Sequence, residues 1–230
     1  MISRFTFFVL LLAISQTVAC GNEPNTASGL APVEFENLPL TAIQPKGWLL
    51  GQLRIQAAGL SGHLDEFWPD VAQSGWIGGK AEGWERGPYW LDGLIPLAWT
   101  LDDKTLKVKA NKWMNYILEH QQPDGWLGPV KAKDRKAYDP WPCFIILKAM
   151  TQYQEATGDE RIIPAMEKFL HKLDSVLDKQ PLFDWSKPRW GDLVLSIYWL
   201  YDRTHEPWLL DLAAKVQKQG QDWRGHFADF

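Results

Sequence analysis

The stretch GWERGPYWLDG, residues 83–93, brings Trp84, Glu85, Arg86, Tyr89, Trp90 and Asp92 into one short run. Aromatic rings can stack on the apolar faces of a pyranose or furanose, and carboxylates can hydrogen-bond its hydroxyls, so the mixture suits one wall of a sugar site. It equally suits an aromatic helix entry that only packs, because tryptophan also fills cores and caps helices. Three further stretches combine the same residue types: QQPDGWLGPV with Asp124 and Trp126, AYDPWP with Asp139, and WSKPRWGD with Asp192. Asp92 is the sharpest single case, since Ile95, Pro96 and Trp99 lie on its own side of an apolar helix. A carboxylate there needs a partner, and Arg86 is the candidate. A structural lock and a substrate-binding or proton-handling group are both open readings for Asp92, and for Asp192, which repeats the arrangement in WGDLVL.

Other titratable residues carry less. Asp65 and Glu66 are adjacent, and neighbours on a helix point about 100° apart, which favours solvated or capping roles over a catalytic pair. His63, His120, His171, His205 and His226 show no ligand spacing with acids or cysteines, so no metal site is expected within the chain.

The elements that must position these residues read as helices. GWLLGQLRIQAAGL places Leu49, Leu53, Ala57 and Leu60 at helical spacing. A second helix begins at Pro88, a residue suited to a first turn, and its stripe of Leu91, Leu94, Ile95, Ala98 and Leu101 is backed by Tyr89, Pro96 and Trp99, as in a buried helix. The turn LDDKT leads to a one-sided helix with Leu106, Ala110, Trp113 and Ile117 in register. The pair then recurs as WPCFIILKAMTQYQEA followed by ERIIPAMEKFLHKLDSVL, and again as WGDLVLSIYWLYD followed by PWLLDLAAKVQKQG. Asp103, Asp159 and Thr204 mark turns spaced by roughly 50 residues, the signature of stacked helical hairpins. A buried helix followed by a half-exposed one, repeated without strands, predicts an all-α fold: an incomplete (α/α)6 toroid of helical hairpins with about seven helices present. The aromatic stretches would gather at one mouth of such a body.

At the start of the chain, one basic residue in Met1–Arg4 precedes the apolar run Phe5–Ile14, which ends in SQTVAC. This predicts a signal peptide over 1–19, its apolar core being too short for a spanning helix. Ala19-Cys20-Gly21 resembles a bacterial lipobox, with Thr17 where leucine is preferred; Cys20 is the expected lipidation site, and plain secretion is the alternative. Residues 20–40 are rich in Asn, Pro, Ser and Gly and read as a flexible tether between membrane and a domain over 41–230. Export to the cell envelope is therefore expected. Cys143 has no partner if Cys20 is acylated, and its apolar run CFIILKAM favours a buried structural thiol.

The 230 residues are 46% hydrophobic and 23% charged, with net charge −4 and dispersed lysines, which gives no electrostatic footprint for nucleic acid. Fourteen tryptophans are consistent with a carbohydrate partner.

Taken together, GWLLGQLRIQAAGLSGHLDEFWPD, GWERGPYWLDGLIPLAW, HQQPDGWLGP and YQEATGD resemble the N-terminal part of glycoside hydrolase family 127, the β-L-arabinofuranosidase-like proteins, over about residues 39–230. The resemblance implies an (α/α)6 barrel followed by β-domains, and a retaining mechanism with a cysteine nucleophile, a glutamate acid/base and a zinc ion held by cysteines and a glutamate. Those residues fall later in the family's barrel, and Cys143 does not match the late cysteine cluster, so no catalytic residue, cofactor or zinc ligand is carried onto this chain. What the resemblance does carry over, as substrate-side or scaffold residues, is Glu85, Arg86, Trp90, Asp92, Asp124, Trp126 and Asp139. The expectation is the N-terminal portion of an exported glycosidase, a truncated reading frame inactive by itself, whose inner faces Leu193, Leu195, Ile197 and Trp199 would lack neighbours. A non-catalytic carbohydrate-binding lipoprotein and another helical-toroid enzyme, such as an unsaturated-uronide hydrolase, are the alternatives.

Overall fold

The computed structural model describes residues 30–31, 34–35 and 38–228. The expected signal peptide and Cys20 lie outside the described residues, and the unit described below is Glu34–Phe230. Among the described residues there are α-helices and two 3-10 turns, and no strand. No helix among them is long and apolar enough to cross a membrane.

The chain opens with α1 (Gly47–Ala58), α2 (Leu60–Phe67) and the short α3 (Pro69–Ala72), followed by a 3-10 turn at Gly75–Ile77. Three hairpins come next: α4 (Arg86–Thr100) with α5 (Lys104–Glu119), α6 (Trp141–Thr157) with α7 (Ile162–Leu177), and α8 (Trp190–Thr204) with α9 (Trp208–Gln219); α10 (Trp223–His226) is a single turn. A second 3-10 turn, Ala132–Ala137, precedes α6. The three expected pairs are thus present. The stretch before Pro88 is more broken than its periodicity predicts: Gly59 leaves the helix at φ −103 and ψ −150 and separates α1 from α2. Side chains cannot follow this corner, because a Cβ on Gly59 would meet Ile55 O at 2.9 Å and one on Gly62 would meet Ala57 O at 1.9 Å. The helix expected at Pro88 starts two residues earlier, at Arg86.

Helices α4, α6 and α8 pack side by side, and each also packs against the helix that follows it. They run in the same direction. Glu85 and Tyr89, at the start of α4, meet Trp141 at the start of α6, while Glu155 and Trp199 meet near the ends of α6 and α8. Position in this row sets composition. Helix α6 lies between neighbours and is apolar around nearly its whole circumference, exposing only Lys148, Glu155 and Thr157. Helices α5 and α7 are covered on one side, so their buried residues form single stripes: Leu106, Ala110, Trp113 and Ile117 on one, Met166, Phe169, Leu170, Leu173 and Leu177 on the other.

The ends are set locally. Asp103 caps α5, its Oδ1 accepting from the N–H groups of Thr105 and Leu106 at 2.9 and 3.0 Å. Gly158 ends α6 in the left-handed conformation.

Two packing expectations need correction. Leu193 and Ile197 on α8 are fully buried against α6 and α9, so the open side of α8 is Asp192 and Leu195 with Trp199 half-buried. The helical stripe read in α1 is only partly covered: Leu53 and Ala57 pack on the core, whereas Trp48, Leu49 and Ile55 are exposed, as is Leu60 at the start of α2.

Gly87, in the first turn of α4, sits where a side chain does not fit. A Cβ there would lie 2.7 Å from Trp113 Cη2 and 2.9 Å from Ser74 Oγ, and Trp113 is buried with no room to retreat. Gly87→Ala is expected to cost about 1–3 kcal/mol by overpacking. Urea unfolding checks this; a midpoint equal to that of the parent would show that α4 and α5 are not so close.

Candidate functional site

The loop that delivers the first motif is held by its own backbone. Ser74 Oγ accepts from Trp76 N–H at 3.3 Å and donates to Glu82 O at 3.2 Å, and Trp76 Nε1–H donates to Trp84 O at 2.7 Å. This presents Glu85 at the start of α4. Its Oε2 accepts from the indole N–H of Trp141 at 2.7 Å. Tyr89, one turn on and 48% exposed, meets Trp141 edge-on with ring centres 6.2 Å apart. Arg189, which precedes α8, stacks on Trp141 at 4.8 Å and on Trp185 at 4.3 Å. Three loops distant in sequence therefore converge through Glu85, Tyr89, Trp141, Arg189 and Trp185.

Beyond this cluster the open face of the helix row carries charged and amide side chains together with the exposed Leu195. Asp92 on α4 accepts from Lys148 Nζ at 3.0 Å and from Gln152 Nε2 at 3.1 Å, both on α6. The partner expected for it, Arg86, pairs instead with Asp70 and lies over the ring of Trp68. The reason is directional: Arg86 and Trp90 face α2 and α3, whereas Glu85, Tyr89 and Asp92 share the side that faces α6. On α8, Asp192 is exposed as a residue, yet the packing around its carboxyl raises its pKa; Lys148 and Arg189 oppose the rise, and Asp92 adds to it. Tyr89 is likewise raised, chiefly by desolvation and then by Glu85. Between α2 and α4, a cleft of about 420 Å³ is lined by Trp68, Arg86 and Trp90 and is also reached by Glu85 and Tyr89. A larger hollow, about 750 Å³, lies at the other end of α4 against α1, with Arg54, His63 and Asp102, and holds none of the motif residues.

The remaining singled-out residues hold the frame. Trp90 is buried against Trp113 and donates its indole N–H to Ser61 O at 2.9 Å. Asp139, 4% exposed, accepts from the backbone N–H groups of Trp141, Trp185 and Ser186 at 3.0, 2.6 and 3.1 Å. Trp126 is buried against Phe169 with Arg135 over its ring at 4.7 Å, and Asp124 receives Arg135 and, at 3.3 Å, Lys172. Asp124 and Trp126 thus tie the α5–α6 connection to α7. Asp65 and Glu66 both bind Lys109 Nζ at 2.7 Å, because α5 brings one ammonium between two side chains that diverge on their own helix.

Four participants have no site signature of their own in the sequence: Trp141, Lys148, Trp185 and Arg189. The DPWP and KPRWGD stretches marked their neighbourhoods, but nothing local indicates that Trp141 reaches Glu85 or that Arg189 lies between two indoles.

The chain belongs to glycoside hydrolase family 127, whose β-L-arabinofuranosidase catalytic-domain profile matches residues 34–223. No curated protein and no solved structure gives a significant match. Membership carries a glycoside-hydrolase-like function and a carbohydrate substrate. The zinc implied by the family does not fit the donors present: Cys143 is fully buried, burial pushes its thiol far above the ordinary range, and among the described residues no three His, Cys, Asp or Glu side chains gather as ligands.

Asp124 is held down to about 2, first by the hydrogen bond from Arg135. A depressed carboxylate stabilises the fold above its unfolded pKa of about 3.9 and loses that contribution as pH falls through the folded value. Asp124→Asn is therefore expected to lower the melting temperature at neutral pH and to narrow its difference from the parent between pH about 4 and 2. A difference constant across that range, measured by thermal unfolding, would show that Asp124 does not carry this linkage.

Proposed function

We propose that residues 41–230 form the sugar-holding wall of a β-L-arabinofuranosidase-like glycosidase domain and bind the glycan without themselves cleaving it. The observation that carries this reading is the hydrogen bond from Trp141 to Glu85, beside the exposed ring of Tyr89. It orients a carboxylate next to an aromatic face, the pair of surfaces a furanose presents: hydroxyls for Glu85, C–H groups for Tyr89. Asp92, held by Lys148 and Gln152, offers further contacts along the same face. In this reading Arg86, Trp90, Asp124, Trp126 and Asp139 act through the frame. Cys143 does not act as a nucleophile in this reading, because its thiol is buried and that burial raises its pKa.

Asp192 favours a second reading. A carboxyl whose pKa is raised beside a second carboxylate is the acid that an aspartate-dependent hydrolase of unsaturated uronides would use.

Both readings meet in one experiment on the 230-residue protein. Tryptophan fluorescence is expected to titrate with β-L-arabinofuranosyl oligosaccharides, Glu85→Gln to weaken binding about tenfold through loss of a charged hydrogen-bond acceptor, and an aryl β-L-arabinofuranoside to remain uncleaved. Turnover of the arabinoside would contradict the division between holding and cleaving. Turnover of an unsaturated uronide that disappears in Asp192→Asn would install the second reading.

A further inference from the structure

We propose that the indole of Trp185 is a stacking platform for a second sugar unit beyond the one held at Glu85 and Tyr89, so that the site selects oligosaccharides over single-sugar glycosides. The proposal rests on the reading of this face as a sugar site and adds a requirement for chain length.

Trp185 is 55% exposed, an unfavourable place for a large ring unless something binds to it. Its position is nevertheless fixed. The Trp185 N–H donates to Asp139 Oδ2 at 2.6 Å, and the next N–H, that of Ser186, donates to the same carboxylate. Ser186 Oγ donates in turn to Phe183 O at 2.7 Å, closing the loop on itself. Asp184, immediately before, takes φ 42, the left-handed conformation that aspartate and asparagine adopt in tight turns, and so turns the chain sharply into Trp185. An apolar ring held out toward solvent on so constrained a loop is preorganised for a ligand.

The direction of that ligand follows from the stack. Arg189 covers one part of the Trp185 ring at 4.3 Å and continues to Trp141 at 4.8 Å, whose indole N–H bonds Glu85. Trp185, Arg189 and Trp141 therefore form a continuous ladder leading to the Glu85–Tyr89 position. The Arg189 backbone carbonyl accepts from Asp192 N–H at 3.1 Å, whereas its guanidinium makes no hydrogen bond or ion pair among the described residues, so that its N–H edge can reach hydroxyls lying between the two sugar positions. A sugar on Trp185 and one at Glu85 would share this guanidinium.

The test is calorimetric titration of the 230-residue protein with methyl β-L-arabinofuranoside and with β-L-arabinofuranosyl di- and trisaccharides. The oligosaccharides are expected to bind about tenfold more tightly than the single sugar, the size of one aromatic face. Trp185→Ala should abolish that advantage while changing single-sugar affinity much less than oligosaccharide affinity, and Trp185→Tyr should retain most of it. If the single sugar binds but length brings no gain, or if Trp185→Ala leaves the gain intact or weakens both ligands equally, the second platform falls while the sugar site stands. If neither length binds, both fall together.

Discussion

The buried carboxylate of Asp139 is the constraint on which the mouth depends. A charge 4% exposed is tolerated only because three backbone N–H groups surround it, those of Trp141, Trp185 and Ser186. These donors come from two places: the first turn of α6 and the loop entering α8. One side chain thus ties the start of α6 to the loop entering α8 and fixes the backbone at Trp141 and Trp185. Glu85 then finds its donor, Arg189 finds two rings, and the first motif acquires its neighbours from elsewhere in the chain.

Burial and openness are distributed to match. Helix α6 spends its surface on neighbours, and Lys148 is the exception within its first ten residues, Trp141–Met150. That lysine reaches Asp92, while the Asp192 carboxyl on α8 lies near enough for its titration to respond to Lys148, Arg189 and Asp92. The open face is therefore a strip of charges and rings, with Leu195 as its exposed aliphatic residue, on an otherwise apolar scaffold. Membership of glycoside hydrolase family 127 gives that strip a carbohydrate context, and the chemistry present on it consists of acceptors, donors and aromatic faces.

Much of the fold was legible because it is periodic. The stripes of α5 and α7 and the all-round apolarity of α6 follow from helical spacing alone, and the three hairpins fall where the turns indicate. What periodicity could not convey was the corner at Gly59, where a short loss of helical backbone separates two runs that share one hydrophobic register. The site was legible in its residue types and less so in its pairings. Nearness in sequence pairs Arg86 with Asp92, yet the partner of Arg86, Asp70, lies 16 residues upstream, and the donors to Asp92, Lys148 and Gln152, lie 56 and 60 residues downstream. Asp139 stood out as an acid beside tryptophans, but its acceptance of two N–H groups from the loop before α8 is a tertiary fact with no local signature. Distant loops choose partners by the geometry of the helix row, and that geometry exists only after the core has packed.

The most direct measurement is amide hydrogen exchange, residue by residue, on the parent protein and on Asp139→Asn, which replaces one carboxylate oxygen with a donor and so cannot receive the same N–H groups. Trp185 and Ser186 are expected to lose protection together while the amides of α4 and α5 keep theirs. Unchanged protection at Trp185 and Ser186, or an equal rise across the whole domain, would contradict the claim that this carboxylate organises the mouth.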